Sequence, residues 1–147
     1  KLYEDNVNGR LSDKLFEQML HDFEAELESL TESVTQDEQE LDRIEKTVRK
    51  YGKPFFFAEA GCMSIVDSNK VPNDWTVQGE ADAKGQADWY EAMFEACLKR
   101  EWVRGMAFWS WNSHLYTKNA ALKRKDYEIY AKPAEKIVKK YYDSIQK

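Results

Sequence analysis

The first third of the chain repeats its apolar residues at alternating steps of four and three. The repeat runs from Phe16 to Tyr51, and a single acidic residue, Asp37, interrupts it. Alternating steps of this kind are typical of the a and d positions of a heptad seam. The a positions hold Leu20, Leu27, Val34, Leu41 and Val48, and the d positions hold Phe16, Phe23, Leu30, Asp37, Ile44 and Tyr51.

The start of this segment carries helix signals. Ser12 stands where an N-cap is expected, and Leu11 and Phe16 have the spacing of a hydrophobic staple. One helix from Ser12 to Tyr51 would be about 60 Å long. The alternative is a helical hairpin that turns near Thr35, where a second capping signal occurs. A turn need not keep the heptad phase, and this sequence keeps it, so we favour one helix.

Two short apolar runs in the second part of the chain predict β-strands. They are Phe55–Ala60 and Gly105–Trp111. An amphipathic helix across residues 86–100 separates them, and this order favours a parallel strand pair with a crossover helix. A long polar loop, roughly residues 65–85, follows the first strand, and loops of this length are usually functional or mobile. A last helix begins at Pro133.

The whole pattern predicts an α/β protein with two segments. Residues 1–50 form a long coiled-coil-type helix, and residues 51–147 form a β-α-β-α unit. Neither segment covers its apolar surface alone, because a heptad helix needs a partner helix and a two-stranded sheet leaves two unpaired edges. We therefore expect a homo-oligomer that forms through residues 16–51 and through the sheet edges.

The charge distribution narrows the classes of partner. Residues 1–50 hold 7 Lys and Arg against 14 Asp and Glu, and residues 51–147 hold 15 against 13. Neither part has the basic surface that binding to nucleic acid requires, so we expect no nucleic-acid partner. No apolar stretch reaches the length of a membrane span, so we expect no membrane partner either.

The two cysteines indicate neither a disulfide framework nor a metal site. Cys62 and Cys97 lack the spacing of metal ligands, and we expect no metal and no cofactor. Buried thiols fit a reducing compartment, which favours the cytoplasm. No secretory signal is visible, but the chain starts at Lys1 rather than Met, so the localisation stays open.

Candidate chemistry lies at the ends of the two predicted strands. Glu59 stands at the C-terminal end of the first apolar run, where α/β enzymes place catalytic groups. Trp109 and Trp111 lie on the second run. Indole faces pack against sugar rings, and a carboxylate can stabilise or attack an oxocarbenium-like centre. The plainer alternative is a Glu59 that faces solvent or pairs with a lysine, beside two core tryptophans.

Three segments together resemble a known enzyme family. They read KYGKPFFFAEAGCMS, QADWYEAMFEACLKREWVRGMAFWSW and YAKPAEKIVKKYY. Their order is similar to the last quarter of clan-A glycoside hydrolases with a (β/α)8 barrel, and most of all to the β-mannanase-like family. The resemblance spans about residues 39–147 and implies a partial TIM-barrel-like fold. It also implies that Glu59 is the nucleophile and that Trp109 or Trp111 forms the aromatic wall of the sugar subsite.

The chain departs from that family in a way that bears on activity. A retaining glycosidase needs a second carboxylate about 5 Å from the nucleophile as its acid/base. The family carries this residue in an Asn-Glu dipeptide on the fourth strand, and this sequence has no such dipeptide. The resemblance therefore implies a truncated or rearranged glycoside-hydrolase-like protein that is catalytically incomplete alone. If active, it would be a retaining endo-β-glycosidase of mannanase or xylanase type, with a polysaccharide as partner.

A second resemblance indicates another class of function. The segment KLYEDNVNGRLSDKLFEQMLHDFEAELESL is similar to the region that enters the coiled coil of large serine recombinases. It implies a coiled-coil module and not a recombinase, because the sequence has no serine catalytic domain, zinc ribbon or basic face. The alternative hypothesis is a non-enzymatic assembly protein that oligomerises through its coiled coil and has no carbohydrate role.

Overall fold

The computed structural model describes residues 2–113 and 116–145. The chain divides into two compact units, Lys1–Gly52 and Lys53–Lys147. Residues 146–147, the end of the predicted β-α-β-α segment, lie outside the described residues. None of the helices that the structure describes combines the length and the apolar character of a membrane span.

The first unit consists of two helices. Helix α1 spans Leu2–Val7 and helix α2 spans Asp13–Tyr51. The chain turns between them at Gly9, whose φ of 69° suits glycine. The Asn6 side chain donates hydrogen bonds to the carbonyl of Leu11 at 3.3 Å and to the carboxylate of Asp13 at 2.9 Å. These bonds connect α1 to the start of α2.

Helix α2 confirms the prediction of one long helix in this part of the chain. Its N-cap is Ser12, whose hydroxyl oxygen accepts a hydrogen bond from the backbone N–H of Leu15 at 3.4 Å. Gly52 ends the helix in the left-handed conformation, with a φ of 60°. The hairpin alternative is wrong, because the helix continues through Thr35. The Thr35 hydroxyl donates to the carbonyl of Thr31 at 2.9 Å, as it does inside a continuous helix.

The heptad stripe of α2 lies on the surface. All 39 residues of α2 are described, and none of them is buried. Leu27, at an a position, is 66% exposed. The other exposed large apolar residues of this stripe are Leu20, Phe23, Leu30, Val34 and Tyr51. The helix therefore keeps an apolar face that its described neighbours do not bury.

The second unit contains the parallel strand pair. Strand β1 spans Phe55–Ala60, as predicted, and strand β2 spans Val103–Phe108. Helix α3, Ala83–Leu98, connects them. The described residues form one two-stranded parallel sheet, in which Phe56 pairs with Gly105, Phe57 with Met106 and Ala60 with Phe108. The chain is therefore an α/β protein, as its sequence predicts.

The second strand and the crossover helix differ from their predicted bounds. The apolar run predicts a strand over Gly105–Trp111, but β2 starts at Val103, which pairs with Phe55, and ends at Phe108. The chain leaves the sheet there, so Trp111 lies in a loop. Helix α3 begins earlier than residue 86 because the Asp82 carboxylate caps it.

The core of the second unit joins α3, β2 and helix α5, which spans Pro133–Ile145. The Phe108 ring of β2 meets Tyr90 and Phe94 of α3 edge-on, with ring centroids 5.4 and 5.8 Å apart. Phe94 stacks on Tyr141 of α5 at 4.7 Å. A short helix, α4, spans Lys118–Ala121. The buried core cluster consists of Ala87, Tyr90, Ile129 and Ala134.

Candidate functional site

A cavity of about 520 Å³ opens where β1 and β2 end. Its volume lies within the range of about 300–1,000 Å³ that is typical of small-molecule sites. The end of β1, the loop that follows it and the segment after β2 all contribute to the wall. The described lining residues are Glu59, Ala60, Gly61, Pro72, Asn73, Trp75, Trp109 and Tyr127.

Glu59 is an exposed carboxylate in this cavity. It is the second-to-last residue of β1. No described residue forms a hydrogen bond or an ion pair with it. Glu59 is also the only acidic residue among the described lining residues. The alternative of a lysine-paired Glu59 therefore finds no support in the described part of the chain.

Trp109 reaches the cavity because its backbone lies against the end of β1. Trp109 directly follows the last residue of β2. Its backbone N–H donates a hydrogen bond to the carbonyl of Ala60 at 2.9 Å. A Cβ on Gly61 would lie 2.1 Å from the Trp109 carbonyl oxygen, so only glycine allows this approach. The Trp109 side chain is 54% exposed and shares the cavity with Glu59. The peptide bond between Trp109 and Ser110 is cis.

Trp111 lies apart from these residues. Its side chain is 61% exposed, and it is not among the described residues that line the cavity. The next residue, Asn112, donates its backbone N–H to the carboxylate of the buried Glu128 at 3.1 Å. The structure therefore brings Trp109 and Glu59 together and leaves Trp111 outside that cavity. Neither tryptophan is a core residue, in contrast to the plainer alternative.

Tyr127 closes another side of the cavity. Its hydroxyl donates to the carbonyl of Pro72 at 3.1 Å and so holds the loop after β1. Burial raises the pKa of Tyr127, and the nearby Cys62 and Asp74 add to the increase. The phenol therefore stays protonated at neutral pH. Its oxygen lone pairs can accept a hydrogen bond from a ligand hydroxyl.

A largely buried polar cluster joins the segments on either side of the site. Lys132 is 2% exposed, and its ammonium donates to the hydroxyl of Ser64 and to the carboxylate of Asp126, each at 3.0 Å. The Gln86 amide donates to the carbonyl of Cys62 at 2.8 Å. These bonds join the segment after β1 to the segment before α5. None of these five residues is among the described lining residues, so their role is positioning.

The two charges of this ion pair each favour the charged form of the other. Burial raises the pKa of the Asp126 carboxyl, but Lys132 and Arg124 together outweigh it, and the pKa lies below its usual value. Burial lowers the pKa of the Lys132 ammonium, and Asp126 opposes that effect. Each charge compensates the other, as buried ionic groups require.

Sequence reasoning missed several residues that line the cavity. Asn73 and Trp75 belong to the long loop after β1, and the length of that loop was the available signal. Tyr127 had no local signal, because its place depends on a contact across the fold. The described residues contain no group of three side chains placed to hold a metal ion.

Comparison with known proteins identifies the family. The sequence profile of Glycoside Hydrolase Family 113 matches residues 18–132. The chain belongs to this family. The match begins within α2, earlier than the resemblance over residues 39–147 indicated. The GH113 match confirms the glycoside-hydrolase resemblance, whereas the recombinase-like segment stays a prediction.

Solved GH113 structures share the fold of part of this chain. Two β-1,4-mannanase structures, one of them a complex, are 45% and 46% identical to it, with TM-scores of 0.70 and 0.69. Each match covers 73% of this chain and 35% of the other. A GH113 β-mannanase from Alicyclobacillus acidocaldarius, in complex with ManMIm, is 36% identical with a TM-score of 0.67, over 71% of this chain and 33% of that chain.

The chain thus spans about a third of the length of these mannanases. Its α/β unit matches a fragment of the GH113 barrel, and the protein is glycoside-hydrolase-like. No curated protein matches the chain significantly. Membership in GH113 does not favour the alternative of an assembly protein with no carbohydrate role.

Proposed function

We propose that this GH113 chain supplies the nucleophile side of a retaining β-mannanase site. Glu59 attacks the anomeric carbon, and Trp109 packs against the sugar ring that is attacked. The observation that carries this proposal is the shared cavity of an unpaired carboxylate and an exposed indole at the strand ends. The substrate class is a β-1,4-linked mannan, because the similar solved structures are β-1,4-mannanases.

The chemistry needs a second carboxylate. In a retaining glycosidase an acid protonates the leaving oxygen while the nucleophile forms a covalent glycosyl ester, and the same group then activates water. The two carboxyl groups lie about 5–5.5 Å apart. Glu80 and Asp82 follow β1 in the chain, but neither lines the cavity, and Asp82 caps α3. We propose that the acid/base comes from the part of the barrel that this chain does not span, so the chain alone is inactive.

The two-stranded sheet supports the proposal that strands from elsewhere pair with it. Its two described strands leave two unpaired edges, and such a pair is marginally stable at best in isolation. Phe56 is exposed on β1, with its ring over Gly105 of β2. We propose that further strands pair with these edges and cover Phe56.

Helix α2 supports a second mode of association. We propose that its exposed heptad stripe, in residues 16–51, packs against the same stripe of a second copy. Trp111 stays a candidate for the aromatic wall once further strands are in place. Residues 1–50 then serve assembly and residues 51–147 serve sugar binding, in line with the coiled-coil resemblance of the N-terminal segment.

An activity assay on β-1,4-mannan tests the main proposal. The chain is assayed alone and together with a GH113 β-mannanase fragment that lacks the segment matching this chain. A hybrid in which residues 18–132 replace the corresponding segment of that mannanase repeats the test in one polypeptide. We expect no hydrolysis by the chain alone, hydrolysis by the mixture or the hybrid, and loss of that hydrolysis with Glu59→Gln.

Glu80→Gln is the matched control, because Glu80 lies outside the cavity. It should leave hydrolysis unchanged. Hydrolysis that survives Glu59→Gln would contradict the role of Glu59. A folded hybrid without activity would contradict the proposal as a whole.

A further inference from the structure

A third aromatic side chain, Trp75, lines the cavity from the loop that follows β1. It is 76% exposed, more than any other large apolar side chain that the structure describes. Trp75 contributes little to the core of the second unit, so the stability of the fold does not explain an indole at this place. Its place in one cavity with Glu59 and Trp109 points to a ligand.

The tip of the loop holds Trp75 between two fixed neighbours. The carboxylate of Asp74 accepts hydrogen bonds from the backbone N–H of Thr76 at 2.8 Å and from its hydroxyl at 2.6 Å. These two bonds lower the pKa of Asp74, so the carboxylate is ionised and the turn persists at neutral pH. Pro72, on the other side, accepts the hydrogen bond from Tyr127.

The base of the loop is closed as well. Ile65 forms an isolated antiparallel bridge with Ala81, and the N–H of Val66 donates to the carbonyl of Glu80 at 3.0 Å. Lys125 donates to the carbonyl of Gly79 at 2.6 Å. The loop that carries Trp75 is therefore attached at its base and at its tip. A surface that is fixed before binding loses less entropy when a ligand binds.

We propose that Trp75 is a second sugar platform, in a subsite next to the one formed by Glu59 and Trp109. It binds a further ring of a β-1,4-linked mannooligosaccharide, so this inference rests on the proposed function. The indole face packs against the C–H face of the pyranose. The neighbouring Asn73 also lines the cavity, and its amide can donate to and accept from sugar hydroxyls. Because of this platform, the affinity of the site increases with the length of the oligosaccharide.

The indole N–H signals of the full chain give a residue-specific test. The chain has five tryptophans, and Trp→Phe variants assign their five signals in a ¹H–¹⁵N correlation spectrum. We expect titration with mannohexaose to shift the signals of Trp75 and Trp109. Trp89 packs against the core cluster and Trp102 packs against Phe55, so their signals should stay in place.

The dependence on chain length separates a platform from a structural role. Trp75→Ala should weaken mannohexaose binding about tenfold, the equivalent of about 1.4 kcal/mol. The same change should leave mannobiose binding nearly unchanged, and Trp75→Tyr should restore most of the mannohexaose affinity. Val71→Ala is the control, because Val71 is an exposed apolar residue of the same loop that does not line this cavity.

The outcomes distinguish this inference from the proposed function. A shift of Trp109 without a shift of Trp75, or an unchanged mannohexaose affinity of Trp75→Ala, overturns the inference alone. If no indole signal responds to either oligosaccharide, the inference and the proposed function both fail.

Discussion

Gly61→Ala tests how closely the Trp109 backbone must approach the end of β1. The added Cβ would lie 2.1 Å from the Trp109 carbonyl oxygen and 3.2 Å from Cδ1 of Tyr127. The first of these atoms belongs to the backbone and cannot rotate away. The segment after β2 must therefore shift, and the 2.9 Å hydrogen bond from Trp109 to Ala60 must lengthen. We expect Trp109 to leave its place beside Glu59.

The size of the effect follows from two contributions. Overpacking a well-filled site costs about 1–3 kcal/mol. Weakening one backbone hydrogen bond adds about 0.5–1.5 kcal/mol. We therefore expect the free energy of unfolding to fall by about 2 kcal/mol or more. For a unit of this size each 1 kcal/mol lowers Tm by about 4–8 °C, so Tm should fall by at least about 8 °C.

Thermal unfolding followed by circular dichroism measures the stability, and the Trp109 indole signal reports its position. Gly79→Ala is the control, because its Cβ would lie 3.2 Å from the Cγ2 methyl of Ile65, a side-chain end that can move slightly. The control should change the free energy of unfolding by less than about 1 kcal/mol. A Gly61→Ala variant with the wild-type Tm and an unmoved Trp109 signal would refute the reasoning.

Two further changes test the helix stripe and the buried ion pair. Leu27→Asp with Leu41→Asp places charges in the stripe of α2, and sedimentation should show a smaller assembly than the wild-type chain; an unchanged mass argues against self-association. The folded-state pKa of Asp126 lies below its unfolded value, so its stabilising effect is present above about pH 4 and is lost as the pH falls through the folded pKa. At acid pH the free energy of unfolding should therefore depend less on pH in Asp126→Asn than in the wild-type chain. Parallel pH profiles of the two proteins would contradict a stabilising role of the ionised Asp126.

Local sequence signals predicted the regular elements well. The bounds of β1 follow from an apolar run between Pro54 and Gly61, and the length of α2 follows from a heptad phase that continues on both sides of Asp37. The predicted end of β2, at Trp111, was wrong because an aromatic run has the composition of a buried strand. In the structure its two tryptophans, Trp109 and Trp111, are exposed and follow the strand.

The candidate site was only partly predictable. Glu59 could be selected because a strand end has a sequence signature. Tyr127 could not, because it reaches the site through a hydrogen bond to Pro72, which lies 55 residues away in the chain. Lys132 precedes the predicted last helix, but lysine is rarely buried, and only its contacts with Ser64 and Asp126 explain its burial.

The central claim, that Glu59 is a glycosidase nucleophile, is tested most directly by trapping. 2-Deoxy-2-fluoro-β-mannosyl fluoride is reacted with the chain in the presence of the complementing mannanase fragment. The Glu59 carboxylate displaces fluoride and forms an ester, and fluoride leaves without a proton donor. Peptide mass mapping should find one fluorosugar on the peptide that contains Glu59, and none in Glu59→Gln. A label on Glu80 with Glu59 unmodified, or equal labelling of Glu59→Gln, would contradict the account.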